Sequence, residues 1–532
     1  MQEVHGQQPP WAWSKAGWKS ERASNDPTKP EAWCYTDRYS YAPGDTVSVR
    51  VHSTVPQVSI RVIRDGLAPE LMFERTGVSA QATVTPEDSY TSGCGWPVAF
   101  EFVIPDSWRS GFYLVTIRAV SEGEVFEREH FFVVRAPEGR TNRLALILTT
   151  STLNAYNDWG GANMYRGLSS DPRADYGVTV SSSLRPIARG HLRKPVGAPR
   201  GANSFTPRRG WVPRYEALEW AYFHGYSRHH ADAFWATYER PFVEWAEGAG
   251  YELDYLTQED LHRPNALDPY RCVIVVGHDE YWSWEMRDAV DEFVDAGGHL
   301  ARFAGNFTWQ IRLEDDLTRQ VCYRDPTLDP ITDLYPRRAT TIWDARSVGR
   351  PSAETMGLSG MAGVYGRVGV TTPRSSGGFT IYRPDHWAFA DADLYYGDVV
   401  GAAPVCAAAY ELDTCEFTFR RGLPYPTGED GAPDSLEILA LAPAVIGERD
   451  RWNGTVPLLG PEREAIEILQ QLGDDAPPYL IDRTQGAGMI AAFERGRGSV
   501  FNAGSSEWVS GLIHRDEFVE KITRNVLDRF SE

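Results

Sequence analysis

The chain has 532 residues, with 53 Lys and Arg against 73 Asp and Glu, for a formal net charge of −20. That balance reads as a solvated acidic surface and argues against nucleic acid as a partner. At 42% hydrophobic residues the length suits about two to four domains. No apolar run approaches the roughly 18–20 residues needed to cross a bilayer, so no membrane partner is expected.

The first residues, MQEVHGQQPPWAW, lack a basic segment followed by an apolar core, so no signal peptide is expected. Cys34, Cys94, Cys272, Cys322, Cys406 and Cys415 include no CxxC pair and read as reduced thiols of a cytoplasmic protein. Cys34 with Cys94, or Cys406 with Cys415, would pair only in an exported chain. Residues 30–137 alternate with period two: Val47, Val49 and Val51 point inward after a Pro-Gly-Asp turn, and 111–134 repeats the pattern around Glu-Gly-Glu. Residues 1–137 are therefore expected to hold an N-terminal segment and an immunoglobulin-like β-sandwich.

RAPEGRTNR is a polar linker, and residues 138–532 read as an α/β domain. LALILTTS is a buried strand, 229–250 a helix, and 251–261 a strand leading into a turn. Residues 272–276 form a β-branched run that predicts a buried strand of a mainly parallel sheet. From Trp284 onward, Met286, Ala289, Val290, Phe293 and Val294 recur at helical spacing until Gly297-Gly298, and 299–304 is the next strand. Residues 310–430 are irregular and predict an inserted β-rich layer. A hairpin-like pair over 488–506 and a helix over 516–530 close the chain.

HExxH, GxSxG, Walker-A and dinucleotide signatures are absent. Cys272 lies inside a strand, which disfavours an amidotransferase-like cysteine nucleophile. What remains is polar residues at strand ends, where open α/β sheets bind ligands. Tyr156, Asn157 and Asp158 follow the first α/β strand, His278-Asp279-Glu280 the later one, and Asn306 the next. If they converge, they supply a site of oxygen and nitrogen donors; alternatively, His278-Asp279-Glu280 simply caps the following helix.

GHDEYWSWEMRDAVDEFVDAGGHLARFAGN, with AYNDWGG upstream and YELD downstream, resembles the large-subunit family of N,N-dimethylformamidase from about residue 140 to the end. The resemblance implies a glutamine-amidotransferase-like (flavodoxin-like) parallel α/β fold. It also implies an amidohydrolase with one iron, as Fe3+, held by two tyrosines and a glutamate. On these motifs the metal ligands fall on Tyr156 and Glu280, and the catalytic residues on His278, Asn306 and Glu411. The second tyrosine position falls on Val180, which cannot bind metal: either Tyr176, Tyr165, His191 or His230 substitutes, with His278 the nearest third ligand candidate in sequence, or the ion is held differently, or none is bound. The substrate expected is a small or N-substituted amide, cleaved by a metal-activated water, with a homo-oligomer or a small accessory subunit as partner. The second reading is a metal-free binding or scaffold protein. In a carbohydrate-binding version of it, Trp11, Trp13, Trp18 and Trp33 stack on sugars.

Overall fold

The structure is a computed structural model that describes residues 20–137, 139, 141–168, 177–202, 216–366, 374–445, 464–481, 483 and 486–532. Trp11, Trp13, Trp18 and Tyr176 lie outside the described residues.

Strands Ala32–Thr36, Thr46–Ser53 and Val98–Val103 pair antiparallel in one sheet. Gln57–Asp65, Glu70–Ser79, Gly111–Ser121 and Glu124–Val134 form a second, joined at its edge by the parallel pair Ser40–Tyr41. Successive strand side chains point to opposite faces, and here both faces are used. Tyr113, Val115, Ile117, Phe132 and Val134 fill the space between the two sheets with Val47, Val49 and Val51. The residues between them, Phe112, Leu114, Phe131 and Val133, belong to the core of the α/β region. Phe112 stacks on Trp235 with ring centroids 3.9 Å apart, and Trp235 donates its indole N–H to Asp65 at 2.8 Å. One hydrophobic core therefore runs from the N-terminal sheets into the rest of the chain.

The large sheet has 11 strands. Leu253–Thr257, Leu144–Leu148, Cys272–His278, His299–Gly305 and Gly498–Asn502 lie side by side and parallel. Cys272–His278 is buried along its whole length, as a strand covered on both faces must be. The hairpin of Gly486–Arg495 with Gly498–Asn502 then reverses direction. Beyond it Glu437–Val445, Ser359–Gly366 and Glu411–Thr414 continue antiparallel, and Phe379–Ile381 and Val399–Val400 pair alongside. Much of 310–430 thus extends the main sheet instead of forming a layer of its own, and the sheet is mixed, not mainly parallel.

Two further expectations are corrected. The helix expected over 229–250 is Glu239–Gly248 only, because 229–238 runs as turns in which Phe234 adopts a left-handed φ of 71°. His278-Asp279-Glu280 does not cap the helix Trp284–Asp295; Ser283 does, its hydroxyl accepting from the Met286 N–H at 3.2 Å.

Candidate active site

The main sheet hands two neighbouring strands to a smaller sheet at one place. Cys272–His278 leads through Asp279-Glu280 into Tyr281–Ser283, and His299–Gly305 leads through Asn306-Phe307-Thr308 into Trp309–Glu314. The first pair of strands is parallel, and so is the second. Gly277 makes the turn possible: its φ is +85°, and a Cβ there would stand 2.3 Å from the Tyr238 Cβ. Asp279 N–H donates to the Gly305 carbonyl at 3.1 Å, and the Glu280 carbonyl accepts from the Trp309 N–H at 2.9 Å.

Because the segment stays extended, its side chains alternate. Asp279 turns into the core, where it accepts from Arg302 at 3.0 Å and from the Trp282 indole at 2.5 Å. Arg302 also reaches Asp413 at 2.5 Å, and Asp413 in turn accepts the Asn306 backbone N–H at 2.5 Å. His278 and Glu280 turn the other way and meet, with His278 Nε2 3.4 Å from Glu280 Oε2.

Tyr156, His278, Glu280 and Asn306 are all buried and come together as the strand-end argument anticipates. Tyr156, in the last turn of the helix Thr150–Tyr156, donates its hydroxyl to Glu280 Oε2 at 3.0 Å. The Asn306 amide nitrogen lies 3.0 Å from His278 Nε2, and its oxygen accepts from the Thr308 hydroxyl at 2.7 Å. His278 Nδ1 lies 2.8 Å from the Asp232 carbonyl, which can only accept. The imidazole is thereby fixed with its proton on Nδ1 and its lone pair on Nε2. Glu411 is buried and close enough for its charge to act on Tyr156 and Tyr410. Its backbone carbonyl accepts the Ser506 N–H at 3.0 Å.

Among the described substitutes for Val180, Tyr165 is the one that reaches Glu280. Its hydroxyl donates to Glu280 Oε1 at 2.6 Å, closer than any approach of His278 to that carboxylate. Trp309 donates its indole N–H to the same oxygen at 2.8 Å. Val180 itself is buried in a short strand paired with Val321. His191 and His230 are buried near Asp232, His230 Nδ1 lying 3.0 Å from the Ser227 carbonyl.

Beside Trp309 and Asp232, further contributors escape sequence reasoning. Asn163 joins the two tyrosines, its amide nitrogen donating to the Tyr156 carbonyl at 2.8 Å and its oxygen accepting from the Tyr165 N–H at 2.9 Å. The His229 ring stands edge-on to Tyr156 with centroids 5.2 Å apart, and its Nδ1 lies 3.2 Å from Asp232 Oδ2. Tyr410 packs edge-on against His278 at 5.4 Å. An Asn before a Tyr and the pattern His-x-x-Asp are the only signals for the first two, and both are common by chance.

Burial and then the adjacent Glu280 charge push the Tyr156 and Tyr165 phenols well above the usual tyrosine range. Burial also lowers His229 to about 4. Burial opposes the Asp232 charge, but His229 and Arg374 hold its carboxyl well below the usual range.

No group of three or more His, Cys, Asp or Glu suited to a metal occurs among the described residues. The donor set present is of another kind: two phenols within hydrogen-bond distance of one carboxylate. Hard oxygen donors of this sort fit a hard, highly charged cation, which would replace the two phenol protons. Tyr156, Tyr165 and Glu280 are thus a donor set that could hold such a cation. Trp33 does not fit a sugar platform, because it is buried with its ring edge-on to Trp159 at 5.5 Å.

A mixed α/β protein with a buried oxygen-donor site where its strands end is the class that this geometry defines. The chain belongs to the family described as N,N-dimethylformamidase beta subunit-like, C-terminal, which matches residues 60–520. It is 23% identical over 470 residues to the N,N-dimethylformamidase beta subunit of Alcaligenes sp, covering 82% of this chain and 54% of that one. It is 22% identical over 471 residues to the N,N-dimethylformamidase beta subunit of Paracoccus aminophilus, again covering 82% and 54%. The chain thus spans about half the length of the curated relatives it matches. A solved beta-glucuronidase of Parabacteroides merdae is similar over 51% of this chain and 24% of its own at 9% identity. Its TM-score of 0.16 is too low to bear on fold or activity. No helix among the described residues is long and apolar enough to cross a membrane.

Proposed function

We propose that the chain is an iron-dependent amidohydrolase that cleaves the C–N bond of a small or N-substituted amide. The observation that carries this reading is the meeting of Tyr156 and Tyr165 on the two oxygens of Glu280. These three side chains would hold the ion, which when bound supplies Lewis-acid polarisation of an amide carbonyl and makes water more acidic.

The chain's own groups handle the proton. His278 has committed Nδ1–H to the Asp232 carbonyl, so Nε2 is the atom that takes the proton from water and returns it to the departing amine. Glu280 Oε2, 3.4 Å away, stabilises the imidazolium formed. Protonation of Nε2 displaces the Asn306 amide N–H, which is then free to donate to the developing oxyanion. Glu411 adds a second carboxylate at the edge of the cluster, suited to passing the proton onward. The relatives' name, beta subunit, supports a partner subunit, and the six free cysteines support a cytoplasmic location.

Metal analysis of the purified protein, its visible tyrosinate absorption and amine release from simple amides test the reading. Near-stoichiometric iron, a tyrosinate band and turnover are expected, and Glu280→Ala should lose all three. Full iron and turnover in Glu280→Ala would refute it, as would turnover by metal-free wild-type protein, and clean absence of metal from inactive wild-type protein favours the binding-protein alternative.

A further inference from the structure

Tyr165 has an outer partner that the proposed chemistry does not use. The Tyr281 hydroxyl donates to the Tyr165 oxygen at 2.6 Å, and that oxygen donates in turn to Glu280 at 2.6 Å. Arg324 donates to the Tyr281 oxygen at 3.3 Å, and its guanidinium lies 4.5 Å from the Tyr165 ring centroid and 5.5 Å from that of Trp309. Arg324 adopts a left-handed φ of 65°, a conformation that costs a non-glycine residue on the order of 1 kcal/mol or more and persists only where its surroundings impose it. Tyr281 is buried and fixed by the parallel strand pair Tyr281–Ser283 with Trp309–Ile311. Tyr156, by contrast, has no such donor to its oxygen among the described residues, where its hydroxyl meets Glu280 alone. The two phenols therefore differ: one has a hydroxyl and a cation behind it.

Resting on the iron reading above, we infer that Tyr281 and Arg324 are positioning residues that aim Tyr165 at the ion and withdraw electron density from its oxygen. A hydrogen bond to a ligand atom from a group that is itself held in place fixes the ligand's orientation and tunes how strongly it donates. Tyr281 supplies that bond, Arg324 fixes the Tyr281 oxygen, and the guanidinium over the Tyr165 ring acts in the same electrostatic direction. The Tyr165 and Tyr156 bonds to the ion should consequently be unequal.

Tyr281→Phe removes only the hydroxyl, and Arg324→Gln removes the cation. Iron affinity is measured by competition with a chelator of known strength, alongside the visible tyrosinate band and the melting temperature. For Tyr281→Phe the expected result is a loss of iron affinity of about 10–100-fold and a tyrosinate band moved to longer wavelength, since the Tyr165 oxygen becomes more electron-rich. Arg324→Gln should move both in the same direction, and it decides the matter if Tyr281→Phe does not fold. Iron affinity within twofold of wild type and an unmoved band would overturn the inference while leaving the iron reading intact. A wild-type protein with neither iron nor band would instead overturn the iron reading, and this inference with it.

Discussion

At the scale of single residues, the site stores two protons that a cation bound there would have to displace. Tyr156 and Tyr165 both donate to Glu280, and burial first, then the Glu280 charge, keeps their phenols protonated well above the usual tyrosine range. Without metal the protonated form therefore prevails throughout the neutral range, and binding a cation through the phenolates releases both protons. The sign follows by mass action: affinity for ferric iron should rise steeply with pH and fall on acidification. Titration of iron uptake in a weakly buffered solution should show acid release, absent in a Tyr156→Phe, Tyr165→Phe double variant. Uptake without proton release would place the ion elsewhere. His278, Glu280 and Asn306 were legible because each follows an apolar run whose strand is unambiguous. Tyr165 was not. It lies in a loop with no periodic pattern, and Asn163 ties its backbone to Tyr156 beside Glu280. The sequence position expected to carry the second tyrosine, Val180, instead packs inside a strand.

At the scale of elements, the two strand-to-strand crossings are pinned by a buried charge cluster, not by packing alone. Arg302 is fully buried between Asp279 and Asp413, one from each side of the site. Burial opposes its charge, and the two carboxylates more than compensate, raising its pKa. Asp413→Ala leaves Arg302 with one carboxylate and strips the Asn306 N–H of its acceptor. Unfolding free energy from urea titration should fall by about 3–5 kcal/mol, and activity should be lost with it; a change under about 1 kcal/mol would show that the cluster does not hold the turn. A second charge is a liability. Glu239 begins the helix Glu239–Gly248 and accepts from the Thr149 hydroxyl at 2.7 Å, while its other oxygen has no hydrogen-bond partner among the described residues. Burial raises its carboxyl to about 7, against about 4.3 in an unfolded chain. The folded state thus holds this proton more tightly, so Glu239 costs nothing below about pH 4.3 and progressively more up to about pH 7. Glu239→Gln should match wild type near pH 4 and exceed it at pH 8 by about 1–3 kcal/mol. Equal stability at both pH values would remove the assignment. The turns before this helix were misread as helical because Ala231, Ala233, Phe234 and Ala236 mimic an apolar stripe, whereas each is buried among turns.

At the scale of the whole molecule, the strands that alternate or run β-branched were legible, and the antiparallel extension of the sheet was not. Ser359–Gly366 is buried throughout but consists largely of small residues, so it shows neither alternation nor a β-branched run. Its glycines serve close approach: a Cβ on Gly363 would stand 2.0 Å from the Leu412 carbonyl oxygen. That extension places Glu411 and Asp413 beside strands that precede them by more than 100 residues, and no local pattern encodes such a neighbour. The proposed ligands likewise come from separate stretches, Tyr156 and Tyr165 from one and Glu280 from another, brought together only by the completed sheet. An unfolded chain cannot offer them at once, so a cation held by all three binds the native state alone and stabilises it by mass action. With free iron at a hundred times its dissociation constant the gain is about 2.7 kcal/mol, and it should appear as a higher melting temperature that a strong chelator abolishes. Glu280→Ala should melt at one temperature with or without iron or chelator, because it lacks the carboxylate that both phenols share. If chelator lowered the melting temperature of Glu280→Ala as far as that of wild type, the ion would be stabilising the fold from some other site.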